Sequence, residues 1–104
     1  MQRACFTFHL RPGTEAEYQR RHDEIWPELV TAIREGGVHN YTLFRQGLWV
    51  IAYAECEPDA ATAFGKVGAT DVNARWSEWF SDIIVDLTDD SGELRWAPEV
   101  WHLD

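Results

Sequence analysis

At 104 residues the chain is long enough for a hydrophobic core of its own, and residues 1–104 are expected to form one domain. Eighteen acidic residues against nine basic give a formal charge of −9. That balance argues against nucleic acid and anionic membrane surfaces, which require a basic footprint, and leaves neutral ligands such as sugars open. Six Trp, five Phe and three Tyr are many for this length, so a pocket or an interface is expected to use some of them.

Met1-Gln2-Arg3 runs straight into a strand-like segment with no secretory apolar region, and no apolar stretch approaches the ~20 residues of a membrane span. The expected location is the cytoplasm. Cys5 and Cys56 both lie in apolar runs and nothing resembles a CxxC pair, so two reduced, buried thiols are expected and a structural zinc site is not.

Ala4 to Leu10 alternates, with Phe6, Phe8 and Leu10 on one face and Cys5, Thr7 and His9 on the other, the pattern of a strand with one buried face. Arg11-Pro12-Gly13 punctuates the chain. Thr14, with Glu17 three residues on, predicts a capping box at the start of a helix. If that helix runs to Trp26, Tyr18 and His22 share a face, with Trp26 one turn further along, as a wall for a polar ligand with an apolar underside. Histidine is the side chain best placed to move protons near neutral pH, although on spacing alone such a histidine is more often a satisfied or solvated surface residue than a catalyst. Pro27 ends that helix and suits the first turn of a second one, which runs to Arg34 or Glu35 and stops at Gly36-Gly37, with Gly36 as the left-handed residue.

Val38 to Phe44 and Leu48 to Cys56 read as a hairpin joined by Arg45-Gln46-Gly47. In the first of these strands His39, Tyr41 and Leu43 are expected on one side, with Asn40, Thr42 and Phe44 on the other. The second is apolar on both faces and so belongs in the middle of a sheet. Pro58 or Asp59 opens another helix, weakened by Gly65 and Gly68. Thr70 or Asp71 caps a last one through Ile83, in which Trp76, Phe80 and Ile83 form a stripe flanked by Trp79; core packing is the ordinary use of such a stripe. Leu87 to Gly92 is polar and acidic and reads as a flexible loop, and Glu99 to Leu103 as a final strand.

The order is β, α-α, β-β, α-α, β. It predicts an α+β fold, a ferredoxin-like antiparallel sheet of four strands with helices on one face. The other face carries aromatics and is expected to serve as a pocket, a dimer interface or both.

Several linked segments resemble one family, the L-rhamnose mutarotases. They are Glu17-Tyr18-Gln19-Arg20-Arg21-His22, Ile25-Trp26-Pro27-Glu28-Leu29, His39-Asn40-Tyr41, Thr70-Asp71-Val72, Arg75-Trp76, and the ending Glu99-Val100 with Leu103. The resemblance covers nearly the whole chain. It implies a dimeric α+β barrel, a homodimer of two subunits packed sheet against sheet, that interconverts the α and β anomers of a free monosaccharide with no metal or organic cofactor. It implies His22 as the catalytic proton donor, and Tyr18, Tyr41 and Trp76 as sugar-binding residues. Some relatives carry a second Trp directly after the one matching Trp76; here Ser77 stands there, and the missing surface is expected from Trp79 if anywhere.

The chemistry asks for such residues. Mutarotation needs a proton delivered to the ring oxygen and one taken from the anomeric hydroxyl, which suits an acid with a pKa near working pH. Phenols donate and accept hydrogen bonds, and an indole can lie against a sugar C–H face or a 6-deoxy methyl group. The base stays open between a tyrosine, a water, Asp71 and His22 itself through a water. L-Fucose or another deoxy-sugar is an alternative substrate. Small binding proteins and cofactor-free monooxygenases share the implied fold and are alternative readings. His9, His39 and His102 are read as structural or exposed.

Overall fold

The computed structural model describes residues 1–104. The elements are β1 (Gln2–His9), α1 (Glu15–Asp23), α2 (Pro27–Gly36), β2 (Val38–Gln46), β3 (Trp49–Cys56), α3 (Ala60–Gly68) and α4 (Asp71–Trp79). The sheet is antiparallel in the order β1-β3-β2. The doubly apolar strand is therefore central, as its composition requires.

Phe6, Phe8, Val38, Val50, Ala52, Ala54 and Cys56 face the helices and are all buried. Toward α1 and the end of α4 they pack on Tyr18, Phe80 and Ile83; toward α3 they pack on Ala60, Ala63 and Val67. Thr7, Ile51, Tyr53 and Glu55 on the opposite face stay partly exposed, and Phe44 and Trp49 are 59% and 41% exposed. Cys5 is on this side and only half-buried, unlike Cys56; both are free thiols. No helix is long and apolar enough to cross a membrane.

The fourth strand is absent. Glu99 to Leu103 joins no strand ladder, Glu99 being held only through its side chain by Arg3 at 2.8 Å, and Val100 and Trp101 are 92% and 76% exposed. The chain reaches the free edge of β1 earlier: the Thr7 N–H donates to the Arg95 carbonyl at 3.2 Å and the Ala97 N–H to the Cys5 carbonyl at 2.8 Å. Pro98 follows, lacks an N–H, and ends the ladder there.

Other local expectations shift for identifiable reasons. The Thr14 hydroxyl donates to the Arg11 carbonyl at 2.7 Å instead of capping α1, and Glu17 is held by Arg20 and Arg21 at 2.6 and 2.7 Å. Charge-assisted bonds of this kind outcompete a capping box. Helix α1 stops at Asp23, so Trp26 leaves its face and becomes the extended N-cap of α2. Gly37, not Gly36, takes the left-handed position, with φ 101°. Gly36 is needed for closeness, because a Cβ there would sit 2.6 Å from a Val67 methyl.

Asp59 and Thr70 cap α3 and α4 through their side chains. Helix α4 ends at Trp79, short of Ile83, because Ile83 and Ile84 turn away to bond the end of β1: the Ile83 carbonyl accepts from the Arg11 N–H at 2.7 Å, and Leu10 bridges Ile84. The acidic stretch 87–92 is tied into a turn by Asp89, which accepts from both the backbone and the hydroxyl of Ser91.

Candidate active site

A cavity of about 630 Å³ lies between the helix-covered face of the sheet and the helices. It is on the covered side of the sheet, not on the open face expected to serve as a pocket, a dimer interface or both. Helix α1 supplies Tyr18 and His22, α4 supplies Trp76, β2 supplies Tyr41, and Phe6 and Phe8 of β1 form the floor. Tyr18, His22, Tyr41 and Trp76 therefore line one space.

Tyr18, His22 and Trp76 form a tight group. The Tyr18 and His22 ring centroids are 4.4 Å apart, and the Trp76 ring stands edge-on to His22 at 5.5 Å. Phe80 closes the group from below, 5.2 Å from His22 and 4.8 Å from Trp76. Tyr41 stands on the facing wall, packed on Phe64 at 5.7 Å and Phe6 at 6.5 Å.

His22 Nδ1 is 3.0 Å from the Tyr18 carbonyl one turn back. A carbonyl oxygen only accepts, so in the neutral ring Nδ1 carries the hydrogen and Nε2 keeps its lone pair. Burial lowers the His22 pKa, against the smaller upward pull of the Tyr18 carbonyl and Asp23. Burial also raises the pKa of both Tyr18 and Tyr41 well above the ordinary phenol value. Tyr41 is 38% exposed and lines the cavity.

No Asp, Glu, Lys or Arg lines the cavity. Asp71 lies outside it, 86% exposed and 3.0 Å from Arg75, which removes it from the possible bases. Trp79 is outside as well. It stacks on Trp26 at 5.4 Å with planes 10° apart, and the two indoles buttress Trp76 from behind. Arg21, 7% exposed, lies over the Trp79 ring at 4.8 Å and bonds to the Trp79 carbonyl at 2.6 Å, to Glu17 at 2.7 Å and to Asp82 at 3.2 Å, fixing α1 to the end of α4.

Asn73, Ser77 and Ser81 also line the cavity; Asn73 and Ser81 were not singled out from sequence, and Ser77 only as the residue standing where some relatives carry Trp. Their spacing of four residues on the Trp76 and Phe80 side of α4 was the available signal. His9 pairs with Asp86 at 2.9 Å and His102 with Asp104 at 2.8 Å, while His39 is exposed on the open side of the sheet; none lines the cavity. No group of three or more His, Cys, Asp or Glu stands in metal-binding geometry.

Comparison with known proteins gives a consistent picture. The family profile for L-rhamnose mutarotase matches residues 3–103. An L-rhamnose mutarotase of Shigella flexneri serotype 5b is 33% identical over 103 residues, covering 99% of each chain, and one of Escherichia coli O8 is 32% identical over the same span. Among solved structures, an L-rhamnose mutarotase from Formosa agariphila superposes with a TM-score of 0.78 at 22% identity over all of both chains. The tetracenomycin F2 cyclase of Streptomyces glaucescens follows with a TM-score of 0.70 at 19% identity, covering 100% of this chain and 98% of its own. At these identities the structural matches show a shared fold alone.

Proposed function

The chain belongs to the L-rhamnose mutarotase family, and from that premise we propose that it interconverts the α and β anomers of L-rhamnopyranose with His22 as the proton-transfer group. The observation that carries this reading is that His22 is the one side chain lining the cavity whose ordinary titration range lies near neutral pH. Both phenols are held protonated by burial, so they serve as hydrogen-bond donors and acceptors to sugar hydroxyls, not as bases.

The neutral resting imidazole sets the order of steps. Nε2 takes the proton of the anomeric hydroxyl, the C1–O5 bond breaks as the C1–O1 carbonyl forms, and the resulting imidazolium delivers its proton to O5. Rotation of the aldehyde about C1–C2 and reversal of these steps close the ring on the other face. O1 and O5 are both bonded to C1, so one nitrogen serves both, and His22 ends each turnover as it began. In the donor step His22 is the acid that the family resemblance implies. Trp76, buttressed by Trp26 and Trp79, offers an apolar surface to the ring or to its methyl group.

Residues 1–104 act as one domain in this reading, and two copies pair through their open sheet faces as a homodimeric barrel. Support for that pairing comes from Phe44 and Trp49, exposed together with Ile51 and Tyr53 on the face that no helix covers. The free thiols Cys5 and Cys56 fit the reducing cytoplasm. Sedimentation analysis reads the pairing directly; a monomer at tens of micromolar would remove it.

Saturation transfer between the anomeric protons of L-rhamnose, with and without the protein, tests the reaction. Faster α–β exchange supports it, and repeating the measurement with L-fucose ranks the sugars. Seventeen of the 24 lining residues are hydrophobic, which favours, as a second reading, a binding or oxygenase role toward a flat apolar ligand. Unaltered exchange with both sugars would move the assignment there.

A further inference from the structure

Val38 and Tyr41 both point toward the helices. Val38 is a core residue, 1% exposed, and Tyr41 is part of the cavity wall. An unbroken strand forbids this, because residues three apart emerge on opposite faces.

The register shows how the conflict is resolved. His39 lies opposite Glu55 and Thr42 opposite Tyr53, so Asn40 and Tyr41 together face Ala54 alone. This is a β-bulge, and Asn40 absorbs the extra residue in the left-handed region with φ 48°, the one non-glycine in the chain to do so. Asparagine is among the few residues that enter that region readily. The bulge also explains why His39, expected beside Tyr41, lies across the sheet from it.

Side-chain bonds hold the bulge on the open face. Asn40 Nδ2 donates to one Glu55 oxygen at 2.7 Å, and the Tyr53 hydroxyl donates to the other at 2.8 Å. The Thr42 hydroxyl returns to the Asn40 carbonyl at 3.1 Å.

We propose that Asn40 and Glu55 are positioning residues for sugar binding: their hydrogen bond on the open face of the sheet locks the bulge that delivers Tyr41 into the cavity on the opposite face. The proposal rests on the reading of Tyr41 as a sugar contact. It makes the His39-Asn40-Tyr41 segment a device with a division of labour, in which Asn40 sets the backbone and Tyr41 meets the ligand.

The test uses Asn40→Ala, Glu55→Gln and Tyr41→Phe, singly and with Asn40→Ala and Tyr41→Phe combined, in the full-length protein. Asn40→Ala is expected to raise KM for L-rhamnose about tenfold, the fold-change that corresponds to one well-placed hydrogen bond, with little change in kcat. Glu55→Gln keeps an acceptor for Asn40 and is expected to rescue most of the binding. In the Tyr41→Phe background Asn40→Ala is expected to add little, because both act through one group. Proton NMR contacts between the Tyr41 and Phe64 rings should weaken in Asn40→Ala while those between Tyr18 and His22 persist. Unchanged Tyr41–Phe64 contacts, or KM effects that simply add, would overturn the positioning role. An unaltered KM in Tyr41→Phe would instead fail the sugar-contact reading of Tyr41 and with it the link to binding, a distinct result.

Discussion

The Tyr18 carbonyl accepts from His22 Nδ1 at 3.0 Å, one helical turn apart on α1, while their rings stand 4.4 Å centroid to centroid. A backbone oxygen thereby selects the tautomer, and the neighbouring phenol forms one wall of the cavity that His22 lines. Tyr18 and His22, the proposed sugar contact and the proposed proton-transfer group, are thus fixed by the same turn of helix.

Removing the imidazole is expected to stop proton transfer without unfolding the chain, because His22 makes no bond that ties α1 to another element. His22→Ala should retain the circular dichroism spectrum and lose about 10²–10⁴ in anomeric exchange rate, the usual worth of general acid–base help. Full activity in His22→Ala would remove it from the mechanism.

The pH profile follows from burial. Burial penalises the imidazolium, so the His22 pKa lies below its ordinary value and the neutral form persists into mildly acid solution. Enzyme-catalysed exchange, corrected for the spontaneous rate, should stay level above about pH 6.5 and fall on an acid limb beneath it. The linked stability has the same sign. Between the lowered native pKa and the unfolded value of about 6.5 the unfolded chain binds more protons, so stability present above that value is lost as pH falls through the window. Urea unfolding of the wild type against His22→Gln should differ in that window and converge in slope above it.

Two tryptophans one turn of α4 apart should separate binding from support. Trp76→Ala removes a cavity wall, and KM is expected to rise roughly tenfold or more, in line with the ~0.5–1.5 kcal/mol of a specific aromatic contact plus lost apolar area. Trp79→Phe keeps a ring against Trp26 and Arg21 outside the cavity, so it should lower the unfolding midpoint while KM stays within about twofold. Equal KM effects from both, measured by anomeric exchange over a range of sugar concentrations, would contradict the placement of Trp79.

Arg21 is expected to matter for stability more than for chemistry. Arg21→Met strips the bonds to Glu17, the Trp79 carbonyl and Asp82. Glu17 and Asp82 keep 37% and 67% of their side-chain surface in water, so the stranded carboxylates are solvated and the loss should be about 1–3 kcal/mol. Denaturant unfolding checks this; a change below about 0.5 kcal/mol would mean the contact is idle.

What the sequence determined by itself was whatever depends on short spacing. Period-two alternation identified Phe6 and Phe8 as core, continuous apolarity made β3 central, Asp59 and Thr70 announced their helices, and the four-residue step put Tyr18 beside His22. Tertiary structure decided what depends on competition between distant groups. Arg20 and Arg21 drew Glu17 away from its capping box, the end of β1 unwound the chain after Trp79, and Pro98 cut short a fourth strand. The side of the sheet that holds the cavity, the separation of Trp76 from Trp79, and the bulge that turns Tyr41 inward were likewise decided in three dimensions. Periodicity encodes which face a residue takes only while the register holds. At Asn40 one extra residue resets that register, and the outcome rests on Glu55, fifteen positions away across the sheet.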